Sequence, residues 1–227
     1  MNLGDWLAKL PPLHSWDGEK TWCTGGFDAE HFQQLKTFCA THLPTQPRIL
    51  ETGAGNSTIF FLFLSPVRLV SIEPNAGLFE RIRSYCDAHD IPTNSLEAYS
   101  EGSEWVLPRI GGEAGAMPFD FVLIDGCHNF PNVFLDFFYG NYVLRPGGYI
   151  MIDDIQLHPS RELANMLGEQ PEFELALDLG KALVFRRQPT ASARTLGEWN
   201  SSPYIVRRSK KYEPGLRTRL RQMFQRS

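Results

Sequence analysis

The feature that most constrains the fold of this chain is a regular alternation of short apolar runs and amphipathic segments that begins at Arg48. Five runs of four to six mostly apolar residues are predicted to be strands, at positions 48–51, 67–72, 95–99, 119–124 and 148–152. The segments between them, at 56–64, 75–89, 103–110 and 130–143, have the composition of helices. This alternation predicts parallel strands joined by helical crossovers, with helices covering both faces of the sheet.

The region after the fifth strand adds a predicted helix at 160–167 and two strands at 173–177 and 182–185. Only Asp178-Leu179-Gly180-Lys181 joins these strands, which is too short for a crossover, so they should pair antiparallel. We therefore expect an α/β fold with a Rossmann-like, doubly wound, mostly parallel seven-stranded sheet that ends in an antiparallel hairpin. The predicted organisation is an N-terminal cap and helix at 1–46, this domain at 47–187 and a basic C-terminal tail at 188–227.

The first predicted strand runs into a glycine-rich turn, Glu51-Thr52-Gly53-Ala54-Gly55. Glycines let a ligand approach the backbone closely, and the helix N-terminus that follows favours anionic groups. A dinucleotide-binding motif would place a third glycine at position 58, where this chain has Thr58. The turn therefore indicates a cofactor site that suits a nicotinamide dinucleotide poorly, although a purely structural turn stays open.

A single acidic residue, Glu73, follows the second strand, eighteen residues after Gly55. The usual interval between a glycine turn and a ribose-binding acid is about twenty residues. A carboxylate at this place can accept hydrogen bonds from both ribose hydroxyls. Glu73 is therefore predicted to hold a ribose, and a role as a cap of the next helix is the alternative.

Polar groups that carry chemistry follow the fourth and fifth strands. Asp125 and His128 come after one strand, and Asp153 and Asp154 after the other. Histidine is suited to general-base work near neutral pH, although it can also simply bind a loop carbonyl. Clustered carboxylates repel unless a cation compensates them, so Asp125, Asp153 and Asp154 are candidate ligands for Mg²⁺ or Ca²⁺. A helix cap or a solvent-facing carboxylate is the alternative for the last two.

Residues 48–186 resemble the class I S-adenosylmethionine-dependent methyltransferases. The motifs that carry the resemblance are E-T-G-A-G-N-S-T, S-I-E-P-N, F-D-F-V-L-I-D-G-C-H and L-R-P-G-G-Y-I-M-I-D-D-I, in this order. Within that class they are most similar to small-molecule O-methyltransferases of the catechol and macrolide-sugar types. The resemblance implies S-adenosylmethionine contacts at Glu51, Gly53, Gly55, Asn56, Ser57, Glu73, Gly102, Ser103 and Asp125.

The resemblance also implies the catalytic residues. Asp125 and His128 would act on the acceptor, and Asp125, Asp153 and Asp154 would bind a divalent cation such as Mg²⁺. The catechol-type enzymes place a lysine base where this chain has His128, and often an asparagine ligand where it has Asp154. The implied activity is methyl transfer to a hydroxyl of a sugar or phenol, with metal assistance.

Two other classes of function stay open at this stage. One is a nicotinamide-dependent oxidoreductase on a Rossmann sheet, and the other is a non-catalytic cofactor-binding or interaction protein. If the chain is an enzyme, four aromatic residues before the first predicted strand are candidates to roof the acceptor pocket: Trp6, Trp16, Trp22 and Phe27.

The net charge of −4 conceals a basic tail, because residues 186–227 hold eleven Lys or Arg against two Glu. Such a tail is typical of a solvated or dimerisation arm, or of a helix at an anionic membrane surface, and no recognised RNA-binding module accompanies it. Cys23, Cys39, Cys86 and Cys127 show neither a zinc nor a disulfide pattern, and no signal peptide is visible. We expect a cytoplasmic protein with a small-molecule acceptor, no nucleic-acid partner, and a homodimer as an open alternative.

Overall fold

The computed structural model describes residues 1–15, 20–22, 26–112, 118–190 and 202–209. The chain divides into two compact units, Met1–Leu196 and Gly197–Ser227. Within the described part of the chain, no helix combines the length and the apolar character needed to cross a bilayer.

The strands of the first unit form one seven-stranded sheet. They are β1 (Arg48–Thr52), β2 (Arg68–Ile72), β3 (Leu96–Tyr99), β4 (Phe119–Ile124), β5 (Leu144–Ile152), β6 (Phe173–Asp178) and β7 (Leu183–Arg187). Their order is β3-β2-β1-β4-β5-β7-β6, with parallel pairing from β3 to β5 and antiparallel pairing of β7 with both β5 and β6. The predicted Rossmann-like sheet with its terminal hairpin is confirmed.

Helices connect most of these strands. They are α1 (Leu3–Ala8), α2 (Ala29–His42), α3 (Asn56–Phe63), α4 (Ala76–Ala88), α5 (Ser103–Gly112), α6 (Asn132–Val143), α7 (His158–Glu169) and, in the second unit, α8 (Pro203–Arg208). Helix α2 is capped by Asp28, whose Oδ1 accepts a hydrogen bond from the His31 backbone N–H at 2.9 Å.

The sheet separates two apolar cores, and the alternation of side chains along β4 shows how. Phe121 and Leu123 pack on the face covered by α2, α3 and α4, whereas Val122 and Ile124 pack on the face covered by α5, α6 and α7. Every residue of β4 is buried, as expected for a central parallel strand covered on both faces. The site described below therefore rests on the rigid centre of the sheet.

Several boundaries differ from the sequence prediction, among them the starts of α6 and β5. Helix α6 begins at Asn132, two residues later than predicted, and the Asn129 side chain accepts a hydrogen bond from the Phe130 backbone N–H at 2.9 Å. Strand β5 begins at Leu144, directly after α6, because Leu144 already pairs with Phe119 of β4.

The prediction that Trp6 roofs an acceptor pocket is wrong. Its side chain is fully buried, with its ring centroid 5.1 Å from that of Phe32 and 5.7 Å from that of Phe63, so it completes the core between α1, α2 and α3. Trp22 is exposed, and Trp16 lies outside the described residues.

Phe61 offers a test of the core on the α3 side of the sheet. Its ring is fully buried, with the centroid 5.7 Å from that of Phe121. Because truncation would leave a cavity, Phe61→Ala should lower the free energy of unfolding by about 3–5 kcal/mol. Phe138→Ala is the matched control, since Phe138 is 58% exposed, and it should change this free energy by no more than about 0.5 kcal/mol. Urea unfolding followed by circular dichroism measures both, and equal effects would contradict the packing described here.

Candidate active site

The glycine turn after β1 packs backbone to backbone against the loop that follows β4. Gly53 has φ +82° and donates to the Ile72 carbonyl at 2.8 Å, while the Asp125 N–H donates to the Thr52 carbonyl at 3.0 Å. A Cβ at Gly53 would lie 2.3 Å from the Asp125 carbonyl oxygen, so both the backbone angle and the space require glycine. The turn and the Asp125 loop therefore hold each other in place.

Glu51 lies behind this turn and does not line a ligand cavity, which corrects its expected role as a cofactor contact. Its fully buried carboxylate accepts hydrogen bonds from Ser57 Oγ at 2.8 Å, Thr58 Oγ1 at 2.5 Å and Ser71 Oγ at 2.7 Å. Thr58 Oγ1 in turn accepts from the Gly55 N–H at 3.1 Å. These hydroxyls draw Glu51 inward, where it supports the turn and the start of α3.

The environment of Glu51 changes its acidity. Burial raises the pKa of the Glu51 carboxyl to about 7, although the three hydroxyl donors favour its ionised form. The group that supports the turn therefore titrates in the range of ordinary buffers.

A cavity of about 360 Å³ opens where β1, β2, β4 and β5 end. Its volume is in the range of small-molecule sites, and its location follows the rule for ligands in open α/β sheets. It is lined by Gly53, Ala54, Gly55, Asn56, Ser57, Glu73, Asp125, Gly126, His128, Asp153 and Asp154 from the strand ends, and by His14, Gly26, Phe27, Phe32 and Leu78. Strand ends that are far apart in sequence thus share one cavity.

Glu73 lines this cavity and also contacts the start of the next helix. Its Oε1 accepts a hydrogen bond from the Asn75 N–H at 2.9 Å, and burial raises the pKa of its carboxyl. Glu73 therefore makes the contact with the start of α4 that a cap would make. It also lines the cavity in which a ribose is expected.

His128 follows β4 and lies between two carboxylates, one after β4 and one after β5. Its Nε2 is 3.2 Å from Asp154 Oδ2 and 3.7 Å from Asp125 Oδ1. Burial and the neighbouring Asp153 raise the pKa of the Asp125 carboxyl well above its usual value. Asp154 has φ +52°, a left-handed conformation that Asp tolerates better than most residues. Ligand atoms of Asp125, His128 and Asp154 all lie within 4.8 Å of one another, which makes these three the candidate metal group among the described residues.

Asp153, which the resemblance makes a metal ligand, instead binds a lysine. Lys181 Nζ lies 2.8 Å from Asp153 Oδ2 and 3.1 Å from Asp154 Oδ1. The same ammonium lies 4.4 Å from the centroid of the Phe27 ring, a cation–π distance. The three predicted aspartates thus come together, but with a protein cation on two of them.

Gly102 and Ser103, expected near an adenine, do not line the cavity. Ser103 is buried, and its hydroxyl, like that of Thr52, favours the charged form of Asp136, a fully buried residue of α6. Burial nonetheless raises the pKa of the Asp136 carboxyl to about 6. Sequence patterns gave no signal for Asp136, because it lies within an apolar helix and its neighbours come from β1 and α5.

The N-terminal segment contributes a cavity residue that no motif indicates, His14. Arg81 Nε donates to the Leu13 carbonyl at 2.6 Å, and Asn56 Nδ2 donates to the Pro11 carbonyl at 3.2 Å. These contacts bring the His14 ring to about 3.2 Å from the position of a Cβ at Gly55. Burial, with a smaller contribution from Arg81, lowers the pKa of His14.

Comparison with known proteins shows which domain and which fold this arrangement is similar to. Residues 50–155 match the model of a protein family described as a methyltransferase domain. The match runs from β1 to just beyond β5 and contains the glycine turn, Glu73, Asp125, His128 and the aspartate pair. No curated protein sequence matched the chain.

Solved structures show the same fold. The O-methyltransferase TomG from Streptomyces achromogenes, solved with S-adenosylmethionine, is 21% identical, with a TM-score of 0.60 over 72% of this chain and 82% of that one. An O-methyltransferase from Bacillus cereus, solved with S-adenosylhomocysteine, is 19% identical, with a TM-score of 0.59 over 73% and 83%. A methyltransferase from Geobacter sulfurreducens is 16% identical, with a TM-score of 0.57 over 72% and 81%.

Residues 50–155 thus have the sequence pattern of a methyltransferase domain, and the chain shares its fold with methyltransferases solved with S-adenosylmethionine or S-adenosylhomocysteine. This match favours methyl transfer over the nicotinamide-dependent alternative. Thr58 agrees with this. It occupies the position where a dinucleotide motif would have glycine, and its hydroxyl donates a hydrogen bond to Glu51.

The buried carboxyl of Glu51 predicts a pH dependence of stability. Because its folded pKa of about 7 lies above the ordinary value of 4.5, its contribution is fully present below pH 4.5 and is lost as the pH rises through 7. The loss amounts to about 3 kcal/mol. Glu51→Gln should remove this component, and urea unfolding of both proteins from pH 4.5 to 8 measures it. Parallel stability profiles for the two proteins would contradict the assignment.

Proposed function

We propose that the chain transfers the methyl group of S-adenosylmethionine to a hydroxyl of a small molecule, such as a sugar or a phenol. The observation that supports this most is that one cavity joins the glycine turn and Glu73 to a histidine held beside a carboxylate. O-Methyl transfer needs these two parts together, a donor site and a group that takes the acceptor's proton.

The donor is proposed to lie along the carboxyl ends of β1 and β2. Its methionine part would contact Gly53, Gly55, Asn56 and Ser57, where the start of α3 favours a carboxylate. Glu73 would accept hydrogen bonds from the ribose. The sulfonium supplies an activated methyl group, so the protein's main task is to align the acceptor oxygen with the methyl carbon and the sulfur.

His128 is proposed to be the base. Because Asp154 Oδ2 faces Nε2, we assign the imidazole proton to Nε2, which leaves Nδ1 to accept a proton. The acceptor hydroxyl gives its proton to Nδ1 as its oxygen bonds to the methyl carbon. The methyl–sulfur bond breaks with its electron pair remaining on sulfur. The products are a methyl ether, S-adenosylhomocysteine and an imidazolium that Asp154 stabilises.

A divalent metal does not fit the predicted trio Asp125, Asp153 and Asp154 as these residues are arranged. The Lys181 ammonium already contacts one oxygen of Asp153 and one of Asp154. The remaining group includes His128, and an imidazole ligand suits Zn²⁺ or another transition metal better than Mg²⁺. Metal coordination there would also occupy the side chain proposed as the base, so the mechanism above takes no step through a metal.

Location and partners also remain proposals. Cys39, Cys86 and Cys127 are free thiols, which supports a reducing, cytoplasmic setting, and Cys23 lies outside the described residues. The basic tail is described at residues 188–190 and 202–209, and α8 in the second of these ranges ends in Arg207 and Arg208. We keep the homodimer arm and the membrane-surface contact as alternatives for this segment.

The ribose assignment predicts the effect of Glu73→Ala on donor affinity. Loss of hydrogen bonds to a charged carboxylate, worth about 1.5–3 kcal/mol, should weaken S-adenosylhomocysteine binding roughly 10- to 100-fold. Isothermal titration calorimetry measures this. Glu80→Ala is the matched control, because Glu80 is an exposed acid of α4 that does not line this cavity. Unchanged affinity in Glu73→Ala would remove Glu73 from the donor site.

The base assignment predicts that His128→Ala lowers kcat by about 10²- to 10⁴-fold and leaves S-adenosylhomocysteine affinity within about twofold. Turnover is read as S-adenosylhomocysteine formation with a panel of catechols, simple phenols and nucleotide-linked sugars. His158→Ala, at an exposed histidine of α7, is the control. Full activity of His128→Ala with the panel's best acceptor would refute the base role.

A further inference from the structure

Lys181 is held at the aspartate pair by the backbone as well as by its side chain. It lies in the turn between β6 and β7, where the Leu179 N–H donates to the Ala182 carbonyl at 2.9 Å. Its own carbonyl accepts from the Ile155 N–H at 3.0 Å, which ties the turn to the segment just after Asp154. The position of the lysine relative to the end of β5 is therefore set by the fold.

The ammonium of Lys181 has directional contacts on several sides. Asp153 and Asp154 each bring one oxygen within 3.1 Å, and the face of Phe27 lies against it. The side chain is only 16% exposed, so water screens these contacts poorly. Carboxylates that lie close together in a partly buried site need a positive charge to compensate them. The Lys181 ammonium occupies the place where a bound ion would otherwise supply that charge.

We propose that the Lys181 ammonium is the resident cation of the aspartate trio, so that this enzyme binds neither Mg²⁺ nor Mn²⁺ there. The proposal rests on the proposed methyl transfer and specifies which cation compensates the carboxylates of its site. Lys181 touches neither donor nor acceptor in this scheme and acts as a positioning residue.

The geometry explains why lysine and metal exclude each other. Mg²⁺ needs its oxygen ligands at about 2.0–2.1 Å in a nearly octahedral arrangement. The lysine contacts Asp153 Oδ2 at 2.8 Å and Asp154 Oδ1 at 3.1 Å, with its ammonium between them. A metal using these oxygens would have to displace the ammonium, which would break two ion pairs and the contact with Phe27.

The same contacts give Lys181 a role in positioning the base. Asp154 directs Oδ1 to Lys181 and Oδ2 to His128, so the lysine, together with Gln156 Nε2 at 2.8 Å from Oδ1, sets the rotation of the carboxylate that orients the histidine. Asp154 also has a left-handed backbone, a conformation that its surroundings must maintain. Phe27, Lys181, Asp154 and His128 therefore form one chain of contacts from the N-terminal segment to the base.

The test uses the full-length protein after dialysis against EDTA, in wild-type, Lys181→Met and Lys181→Arg forms. Thermal unfolding is followed while MgCl₂ or MnCl₂ is added.

We expect the Tm of the wild type and of Lys181→Arg to shift by less than about 1 °C. Lys181→Met removes the charge and keeps an unbranched side chain, so the freed aspartates should bind metal. At 100 times the Kd, its Tm should rise by about 5–10 °C. Lys36→Met, at a half-buried lysine of α2, is the control and should behave as wild type.

Activity provides the second readout, with the best acceptor of the panel described above. Wild-type turnover should be the same with EDTA and with added metal, whereas Lys181→Met should lose at least about tenfold in kcat and Lys181→Arg should retain most of it. Stabilisation of the wild type by Mg²⁺ or Mn²⁺, or loss of its turnover in EDTA, would overturn the proposal. If Lys181→Met does not fold, the metal titration of the wild type and of Lys181→Arg still decides it. Failure to bind S-adenosylhomocysteine would count against the methyl-transfer function and would leave the metal titration interpretable.

Discussion

The contact of the Gly53 backbone with the Asp125 carbonyl is the constraint on which the rest of the site depends. The parallel register of β1 and β4, with Thr52 opposite Ile124, brings the two strands to an end side by side. The turn that follows one strand then lies against the loop that follows the other. Any side chain at position 53 would push this loop away and displace His128, three residues further on. The distance between donor site and base is therefore set by the sheet, which holds it more firmly than mobile side chains would.

Much of this arrangement could be predicted from the sequence because a parallel sheet turns order along the chain into proximity in space. Glu73, Asp125, His128 and the pair Asp153 and Asp154 each follow a strand, and all of them line one cavity. The prediction needed only the strand periodicity and the rule that ligands bind at the carboxyl ends of the strands. It did not need any knowledge of side-chain contacts.

Glu51 and Lys181 show where that reasoning ends. Glu51 also lies at a strand end, but its direction depends on hydroxyls of Ser57, Thr58 and Ser71, which converge only once α3 and β2 are packed. Lys181 lies in a turn whose only visible role in the sequence was to join a hairpin, and β7 brings it to β5 because it pairs antiparallel there. Both residues act through contacts between segments that no local pattern relates.

The charges of the site explain why a histidine base beside a fixed lysine suits methyl transfer from a sulfonium. Asp125, Asp153 and Asp154 face one ammonium, so these carboxylates leave negative charge uncompensated, and burial beside Asp153 raises the pKa of the Asp125 carboxyl. A sulfonium donor would offset part of that negative charge. During transfer the sulfur loses its positive charge as the imidazole gains one, so the total charge of the cavity does not change. In a partly buried site, where changes of net charge are costly, this exchange favours a histidine base beside a fixed lysine over a site that must recruit a second cation.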